Sequence, residues 1–357
     1  MKKIFALMLA LCLAMCCVSA MAEEDTYVIG ICQLMQHPAL DEATQGFKDA
    51  LTEKLGDKVT FEEQNASGDA VNCATIVNTF VSEDVDLILG NATAALQAAV
   101  SATADIPILG TSITDYATAL GMSEFTGVTG INVSGTSDLA PLDGQAAMIQ
   151  ELFPDAKTVG LLYCSAEANS LYQVNIIKGY LTEMGYTCEE YAFTDSNDIA
   201  SVAQLATECD VIYIPTDNTA ASCAEAIRNV VVPAKTPVVA GEQGICSGCG
   251  VATLSIDYHQ LGEVTGEMAY DILVKGADPA TMENHADRAE IRQAEEEGSG
   301  QSKHLSDTLL QKTLYYAVRL DDGTVLRLAS VQTTMGVILL GVLQPVLLIL
   351  VLAVLIS

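Results

Sequence analysis

The sequence DLILGNATAALQAAVSATADIPILGT, Asp86–Thr111, contains two short apolar runs separated by a longer amphipathic one. The runs Asp86–Gly90 and Pro107–Thr111 predict buried strands, and Ala92–Ala104 between them predicts a helix. A strand, a helix and a second strand in this order form a crossover whose two strands lie parallel in one sheet. The segment therefore predicts an α/β fold built on parallel sheets.

The same alternation continues on both sides of this segment, from Tyr27 to Lys275. The other predicted strands are Tyr27–Leu34, Val59–Glu63, Val159–Cys164, Thr187–Phe193, Val211–Pro215 and Pro237–Ala240. The other predicted helices are Ala39–Leu55, Asp69–Ser82, Leu139–Leu152, Asn169–Met184, Ile199–Thr207, Asn218–Val232 and His259–Lys275. Each half spans about 110 residues, which is enough for a lobe with its own core. We therefore predict two wound α/β lobes.

Composition excludes several classes of function. The net charge is −30, and it is concentrated before residue 282, so binding to nucleic acid or to anionic lipid headgroups is disfavoured. The four histidines lack metal-ligand spacing. Glycine fingerprints for dinucleotides or phosphates are absent, as is a nucleophile elbow. We predict no metal, no cofactor and no catalytic residues, and therefore a protein that is not an enzyme.

The two ends of the chain predict its location. Residues 1–22 have the charged start, apolar run and small-residue cleavage site of a secretory signal peptide. A lipoprotein signal with Cys16 is the alternative, although Met15 is bulky for that motif. Residues 335–356 form an uncharged apolar run long enough to span a bilayer. We therefore predict an exported protein on the extracytoplasmic side of a bacterial cell membrane, anchored by a C-terminal transmembrane helix.

Eight cysteines remain after the predicted signal, and most lie in apolar runs where cysteine behaves as a small hydrophobe. The pair Cys246 and Cys249 lacks a second pair for a zinc site and the setting of a redox motif. We predict that this pair lies in a structural loop.

Small polar residues follow nearly every predicted strand. In wound sheets, ligands bind beyond the carboxyl ends of the strands, where helix N-termini offer free N–H groups. Hydroxyls, amides or carboxylates occur there in both halves, which suits a small polar or zwitterionic ligand held between the lobes. The alternative is that these residues only cap helices. The strand-end segments are Gln33 with His37, Asn91–Thr93, Thr111–Ser112, Ser165–Ser170, Thr216–Thr219 and Gly241–Glu242.

Several of these segments also carry a family resemblance. The chain from about 27 to 279 resembles the tryptophan/tyrosine-type ABC transporter substrate-binding family, in order and with few gaps. The matching motifs are Gln36–Asp41, Val128–Gly130 with Gly135–Asp138, Ser165–Ser170, Pro215–Thr219, and Ile256–Tyr258 with Leu261–Ala269. The resemblance implies a type I periplasmic-binding-protein clamshell, with one lobe at 23–138 and 254–276 and the other at 139–253. It also implies capture of an amino acid, possibly aromatic, for ABC permease and ATPase subunits.

The resemblance implies a set of ligand-binding residues as well. Asp217 would bind the ligand ammonium, Thr93 and Ser112 would bind its carboxylate, and His37 and Tyr258 would line the side-chain pocket. The predicted set is Gln33, His37, Thr93, Ser112, Thr136, Ser137, Asp138, Ser165, Asn169, Thr216, Asp217 and Tyr258.

Residues 282–357 resemble a different protein, the sensor region and second membrane helix of a phosphate-regulon-type sensor histidine kinase. Residues 282–330 would be a partial PAS-like fragment, in which Thr313–Leu320 and Thr324–Ala329 predict a β-hairpin around Asp322 and Gly323. A kinase domain is absent from this sequence. The change of resemblance near residue 282 predicts a gene fusion, a recombination or an assembly artefact, and these three alternatives stay open. The alternative function is therefore the ligand-sensing ectodomain of a truncated or fused sensor kinase.

Overall fold

The computed structural model describes residues 26–123 and 125–282, and the backbone of 299–306, 311–319 and 325–333. These residues divide into two compact units at Met282. The predicted signal peptide and the predicted membrane segment lie outside the described residues. Within the described part, no helix has the length and apolar character needed to cross a membrane.

The first unit contains two parallel five-stranded sheets, which confirms the two-lobed α/β prediction. The sheet of lobe 1 has the order β2-β1-β3-β4-β5. Its strands are β1 Tyr27–Gln33, β2 Val59–Asn65, β3 Leu87–Asn91, β4 Ile108–Ile113 and β5 Val133–Ser137. Its helices are α1 Pro38–Leu55, α2 Ala70–Ser82, α3 Thr93–Ala102, α4 Tyr116–Leu120 and, from the end of the unit, α11 Tyr258–Lys275.

Lobe 2 repeats this arrangement with the order β7-β6-β8-β9-β10. Its strands are β6 Thr158–Cys164, β7 Thr187–Phe193, β8 Val211–Ile214, β9 Val238–Ala240 and β10 Ala252–Thr253. Its helices are α5 Leu142–Leu152, α6 Ala168–Glu183, α7 Ile199–Ala206, α8 Asn218–Ser222, α9 Ala224–Ala234 and α10 Gln243–Cys249. The shared strand order places equivalent loops of the two lobes at equivalent positions.

Alternating side chains bury both faces of each sheet. In lobe 1, Ile29 of β1 packs with α1 and α11 on one face, and Cys32 packs with α2 and α3 on the other. In lobe 2, Leu161 of β6 contacts α5 and α6, whereas Leu162 contacts the cluster of α7 and α9. Burial on both faces explains why these strands are continuously apolar in the sequence.

Glycines bring α1 and α11 unusually close together. A Cβ atom on Gly46 would lie 2.0 Å from the carbonyl oxygen of His259, and one on Gly262 would lie 2.0 Å from that of Ala43. The crossing fixes the first residue of α11 relative to the start of α1, and both helix starts contribute to the site described below.

The second unit contains the antiparallel sheet β11-β12-β13, with strands Ser299–Ser306, Gln311–Arg319 and Val325–Thr333. The register of β12 with β13 pairs Arg319 with Val325 and Gln311 with Thr333. The predicted hairpin is therefore confirmed, with a third strand before it that the sequence analysis did not predict.

Three features of the first unit differ from the predictions. The Cys246–Cys249 segment is not a loop but lies in helix α10, which buries Cys249 against the core of lobe 2. The predicted helix Asn218–Val232 is divided at Cys223 into α8 and α9. The elements α4, β5 and β10 were not predicted at all.

Candidate ligand-binding cleft

The strand order reverses at the same place in both sheets. In lobe 1, β1 and β3 are neighbours whose crossovers leave in opposite directions, and in lobe 2 the same holds for β6 and β8. Such a switch point opens a crevice at the carboxyl ends of the strands, which is where wound sheets bind ligands. His37 and Thr93 follow β1 and β3, and Ser165 and Thr216 follow β6 and β8.

One polar cluster surrounds Asp138, directly after β5. Thr114 Oγ1 and Tyr258 OH each donate a 3.0 Å hydrogen bond to one oxygen of this carboxylate. The Tyr258 phenol also interacts with Thr216 of lobe 2, and Glu242 of lobe 2 lies near enough to repel Asp138. Burial raises the pKa of Asp138, because removing the carboxylate from water disfavours its charged form. Among the residues that the structure describes, no lysine or arginine contributes to this pKa shift.

A second cluster joins the lobes at His37. The His37 Nε2 atom lies 3.1 Å from Asn218 Oδ1 across the cleft. Asn218 Nδ2 donates to Glu167 at 2.7 Å, and Glu167 also accepts from the backbone N–H groups of Asn218 and Thr219. Burial lowers the pKa of His37, so the ring is neutral near pH 7. The cluster therefore consists of the uncharged imidazole of His37, bonded to the Asn218 amide, which the Glu167 carboxylate orients.

The start of α3 lacks a capping side chain. Ala92 precedes it with φ 85°, and neighbouring Ser112 has φ 57°, both in the left-handed region that non-glycine residues avoid. The buried Ser112 Oγ has no hydrogen-bond partner. Thr93 is buried at the first position of the helix, where the N–H groups of the first turn are unsatisfied. These donors suit an anionic group.

Two cavities are lined by the sequence neighbours of His37, one by Gln36 and the other by Pro38. One, of about 620 Å³, lies between Gln36 and Ala94 of lobe 1 and Glu167 and Thr219 of lobe 2. The other, of about 580 Å³, is lined by Pro38, Glu242 and Tyr258 among others. Within the described residues, neither lining contains a lysine or an arginine. Both cavities are therefore acidic.

Two of the predicted ligand residues, Gln33 and Thr136, have side chains that bond within lobe 1. Gln33 donates to Met35 O and Asp41 and accepts from Thr44, so its amide is fully used in lobe 1. Thr136 bonds Thr111 and Thr265 between β4, β5 and α11.

Asp217 requires a further correction. Its two oxygens accept from Cys164 N and Ala220 N, which makes it the N-cap of α8. Asp138 is nearly as buried, but its oxygens accept from hydroxyls, which can rotate, whereas Asp217 is held by backbone N–H groups, which cannot. We therefore revise the assignment of Asp217 to the ligand ammonium.

The remaining predicted residues lie at the cleft edge with local bonds. Ser137 Oγ donates to Thr114 O and Ser165 Oγ donates to Phe193 O. Asn169 Nδ2 bonds Glu167 and Thr216 O, which connects the starts of α6 and α8. These bonds lie within single lobes and hold the strand-end segments in place.

Sequence reasoning missed Glu167, Asn218 and Glu242 as site residues. All three lie within strand-end segments that the sequence analysis singled out. The signal that could have found them is a carboxylate or amide just before a helix start, where two roles compete: capping the helix and facing the cleft.

The comparisons with known proteins agree with this architecture. Residues 28–290 match the family of ABC transporter substrate binding proteins. A tyrosine-binding protein of Clostridioides difficile is 37% identical over 249 residues, 69% of this chain and 72% of that protein. The crystal structure of an ABC domain in complex with L-Trp from Streptococcus pneumoniae has a TM-score of 0.68 at 36% identity, covering 72% of this chain and 88% of that one. The ligand-free, open structure of a substrate binding protein with adhesive properties from Clostridium difficile has the same coverage and identity but a TM-score of 0.55.

The chain belongs to the family of ABC transporter substrate binding proteins. It is the substrate-binding component of an ABC transporter, a class that works on the extracytoplasmic side of the membrane. The alternative of a sensor-kinase ectodomain is not favoured by these relatives, which are binding proteins. The family resemblance seen in the sequence is confirmed, whereas the sensor-kinase origin of 282–357 stays a prediction.

Proposed function

We propose that the chain captures an aromatic L-amino acid between its lobes and delivers it unchanged to an ABC permease and ATPase. The observation that carries this proposal is the juxtaposition of a buried carboxylate and a set of unused donors at the ends of β4 and β5. Asp138 N donates to Ile113 O, so Asp138 lies beside Ser112, and Ala92 N donates to Thr111 O, so the start of α3 lies beside both.

This juxtaposition matches the head group of an α-amino acid. The ammonium and carboxylate of such a ligand are attached to one carbon atom. Its site therefore needs a negatively charged group for the ammonium beside hydrogen-bond donors for the carboxylate. Asp138 supplies the anion, and its charge-assisted bond replaces the hydration that the ammonium loses. Ser112 Oγ, Thr93 and the α3 N–H groups receive the carboxylate.

Closure of the lobes couples binding to transport. The contacts of His37 with Asn218 and of Tyr258 with Thr216 cross the cleft, and the fold resembles the L-Trp complex more closely than the open relative. A ligand that contacts both lobes stabilises the closed arrangement by its differential affinity. The relatives named for tyrosine and tryptophan support an aromatic side chain.

The head-group assignment is tested by calorimetry with L-tyrosine and two analogues that each lack one charge. Tyramine lacks the carboxylate and 3-(4-hydroxyphenyl)propionate lacks the ammonium. We expect L-tyrosine or L-tryptophan to bind and both analogues to lose at least about a hundredfold in affinity, because each leaves a buried charged or polar group unpaired. Equal binding of tyramine would contradict the carboxylate site. Mass spectrometry of the released ligand should show no chemical change.

We also propose that residues 335–356 anchor the chain after export directed by residues 1–22. The support is the uncharged 22-residue apolar run at the C-terminus and the charged, apolar and small-residue order at the N-terminus. The anchored chain should remain with membranes after alkaline extraction, whereas a chain ending at residue 334 should be released. Release of both would refute the anchor.

A further inference from the structure

The two ring nitrogens of His37 have different surroundings. Nε2 makes the 3.1 Å contact with Asn218 Oδ1. Nδ1 has no hydrogen-bond partner, although the residue is only 6% exposed. A buried polar atom without a partner is costly, so such an atom is a candidate contact for a bound molecule.

The neighbours of His37 fix which nitrogen carries the proton. Asn218 Nδ2 donates to Glu167 Oε2 at 2.7 Å, so the other end of the amide, Oδ1, faces the imidazole. An amide oxygen only accepts, and Nε2 must therefore donate the hydrogen. A neutral imidazole has one donor and one acceptor, so Nδ1 is left as a bare acceptor. Its partner must be a donor.

The strand order gives the spacing between the strand ends that lie near these residues. His37 lies four residues after the last residue of β1, and the sheet order β1-β3-β4 places β1 two strands from β4, where Ser112 lies. Neighbouring strands lie about 4.8 Å apart, so the ends of β1 and β4 are separated by about 10 Å along the sheet edge. An aromatic amino acid has a similar length from its α-carbon to a hydrogen bond at the far end of its side chain.

We infer that His37 determines ligand specificity by accepting, at Nδ1, a hydrogen bond from the distal donor of an aromatic side chain. The donors that fit are the phenol O–H of tyrosine and the indole N–H of tryptophan. Phenylalanine has the same apolar body but no such donor, and it would leave Nδ1 unpaired in the closed cleft. The inference rests on the proposed function and deepens it, because it states which aromatic amino acids the site selects.

A different role for Nδ1 would be to accept from the ligand ammonium. Tyrosine and phenylalanine have identical ammonium groups, so that role predicts equal affinities for the two. The comparison of these ligands therefore separates the two roles.

The test is isothermal titration calorimetry of the full chain with L-tyrosine, L-tryptophan and L-phenylalanine. In the unaltered chain we expect phenylalanine to bind at least about tenfold more weakly than the better of the other two, since a buried acceptor is left unpaired.

Two variants at position 37 separate the acceptor from the contact with Asn218. The longer amide in His37→Gln can place an N–H where Nε2 was and keep the bond to Asn218, but it has no atom in the place of Nδ1. We expect tyrosine or tryptophan affinity to fall about tenfold, to the level of phenylalanine, with phenylalanine nearly unchanged. The shorter amide in His37→Asn can supply an oxygen in the place of Nδ1 but does not reach Asn218. We expect all three ligands to weaken while the preference over phenylalanine is kept.

Each outcome decides the question. Equal affinities for tyrosine, tryptophan and phenylalanine in the unaltered chain would overturn the inference and leave the proposed function standing. A His37→Gln variant that keeps the full preference would also overturn it. If none of the three amino acids binds the unaltered chain, the proposed function itself fails, and circular dichroism of that same sample shows whether the chain is folded.

Discussion

Replacing Gly262 with alanine tests the close crossing of α1 and α11. The added Cβ atom would lie 2.0 Å from Ala43 O and 2.9 Å from Phe47 N, whereas Cβ contacts under 3.0 Å are essentially never seen. Both neighbours are backbone atoms and cannot rotate away, so the helices must separate by about 1 Å. Overpacking of this kind costs about 3 kcal/mol at its upper range. That loss corresponds to a fall in melting temperature of about 6–12 °C.

The matched control is Gly179→Ala in α6, where a Cβ atom would meet no atom within 4 Å. Alanine has the higher helix propensity, so this variant should gain about 0.5–1 kcal/mol. Thermal denaturation followed by circular dichroism, with urea titration as a second measure, compares the two variants with the unaltered chain. If Gly262→Ala proves as stable as Gly179→Ala, the described crossing distance is incorrect.

Three further results are expected. Asp138→Asn should weaken amino-acid binding about tenfold or more in calorimetry, because it removes the charge of the side chain. The melting temperature should stay near that of the unaltered chain, because the shape of the side chain is kept. Unchanged affinity would exclude Asp138 as the ammonium partner. Burial and the charge of Glu167 raise the pKa of Asp217 to about 8. The folded state therefore holds this proton more tightly than the unfolded state, and the free energy of unfolding should fall as pH rises from about 4 to about 8. Asp217→Asn should reduce this pH dependence in urea titrations at several pH values, and an unchanged pH dependence would contradict the raised pKa of Asp217. Lys178→Ala removes an exposed 2.6 Å ion pair with Glu190 and should leave the melting temperature unchanged within error; a clear fall would show that the surface pair stabilises the fold.

The fold could be predicted largely because parallel strands buried on both faces leave a strong apolar signal. The elements that were missed carry little of that signal. Helix α4 has five residues, β10 has two, and β5 with the sequence VSGTS contains more polar than apolar residues. β5 is nevertheless buried, since it lies under α11, which comes from a distant part of the sequence. Tertiary context, not local propensity, makes it a strand.

The candidate site could be located but not resolved from the sequence. The strand-end rule singled out the segments that contain His37, Asp217 and Asn218, and the structure places all three near the carboxyl ends of strands. It could not tell a carboxylate that caps its own helix from one that is free to meet a ligand, since both roles favour the same residue type at the same position. Asp217 was chosen for its charge, and only its bonds to Cys164 N and Ala220 N show that it serves α8.

The origin of α11 late in the sequence also constrains how the protein is made. Lobe 1 needs Met268 and Ala269 to cover the face formed by Ile29 and Phe47, and these residues are synthesised only after the whole of lobe 2. A nascent chain therefore cannot complete its first lobe early, even though nine of the ten strands and helices described for that lobe have already emerged in order. In an extracytoplasmic family, this order delays closure of the lobe 1 core until the chain is nearly complete, which favours export before that lobe has folded.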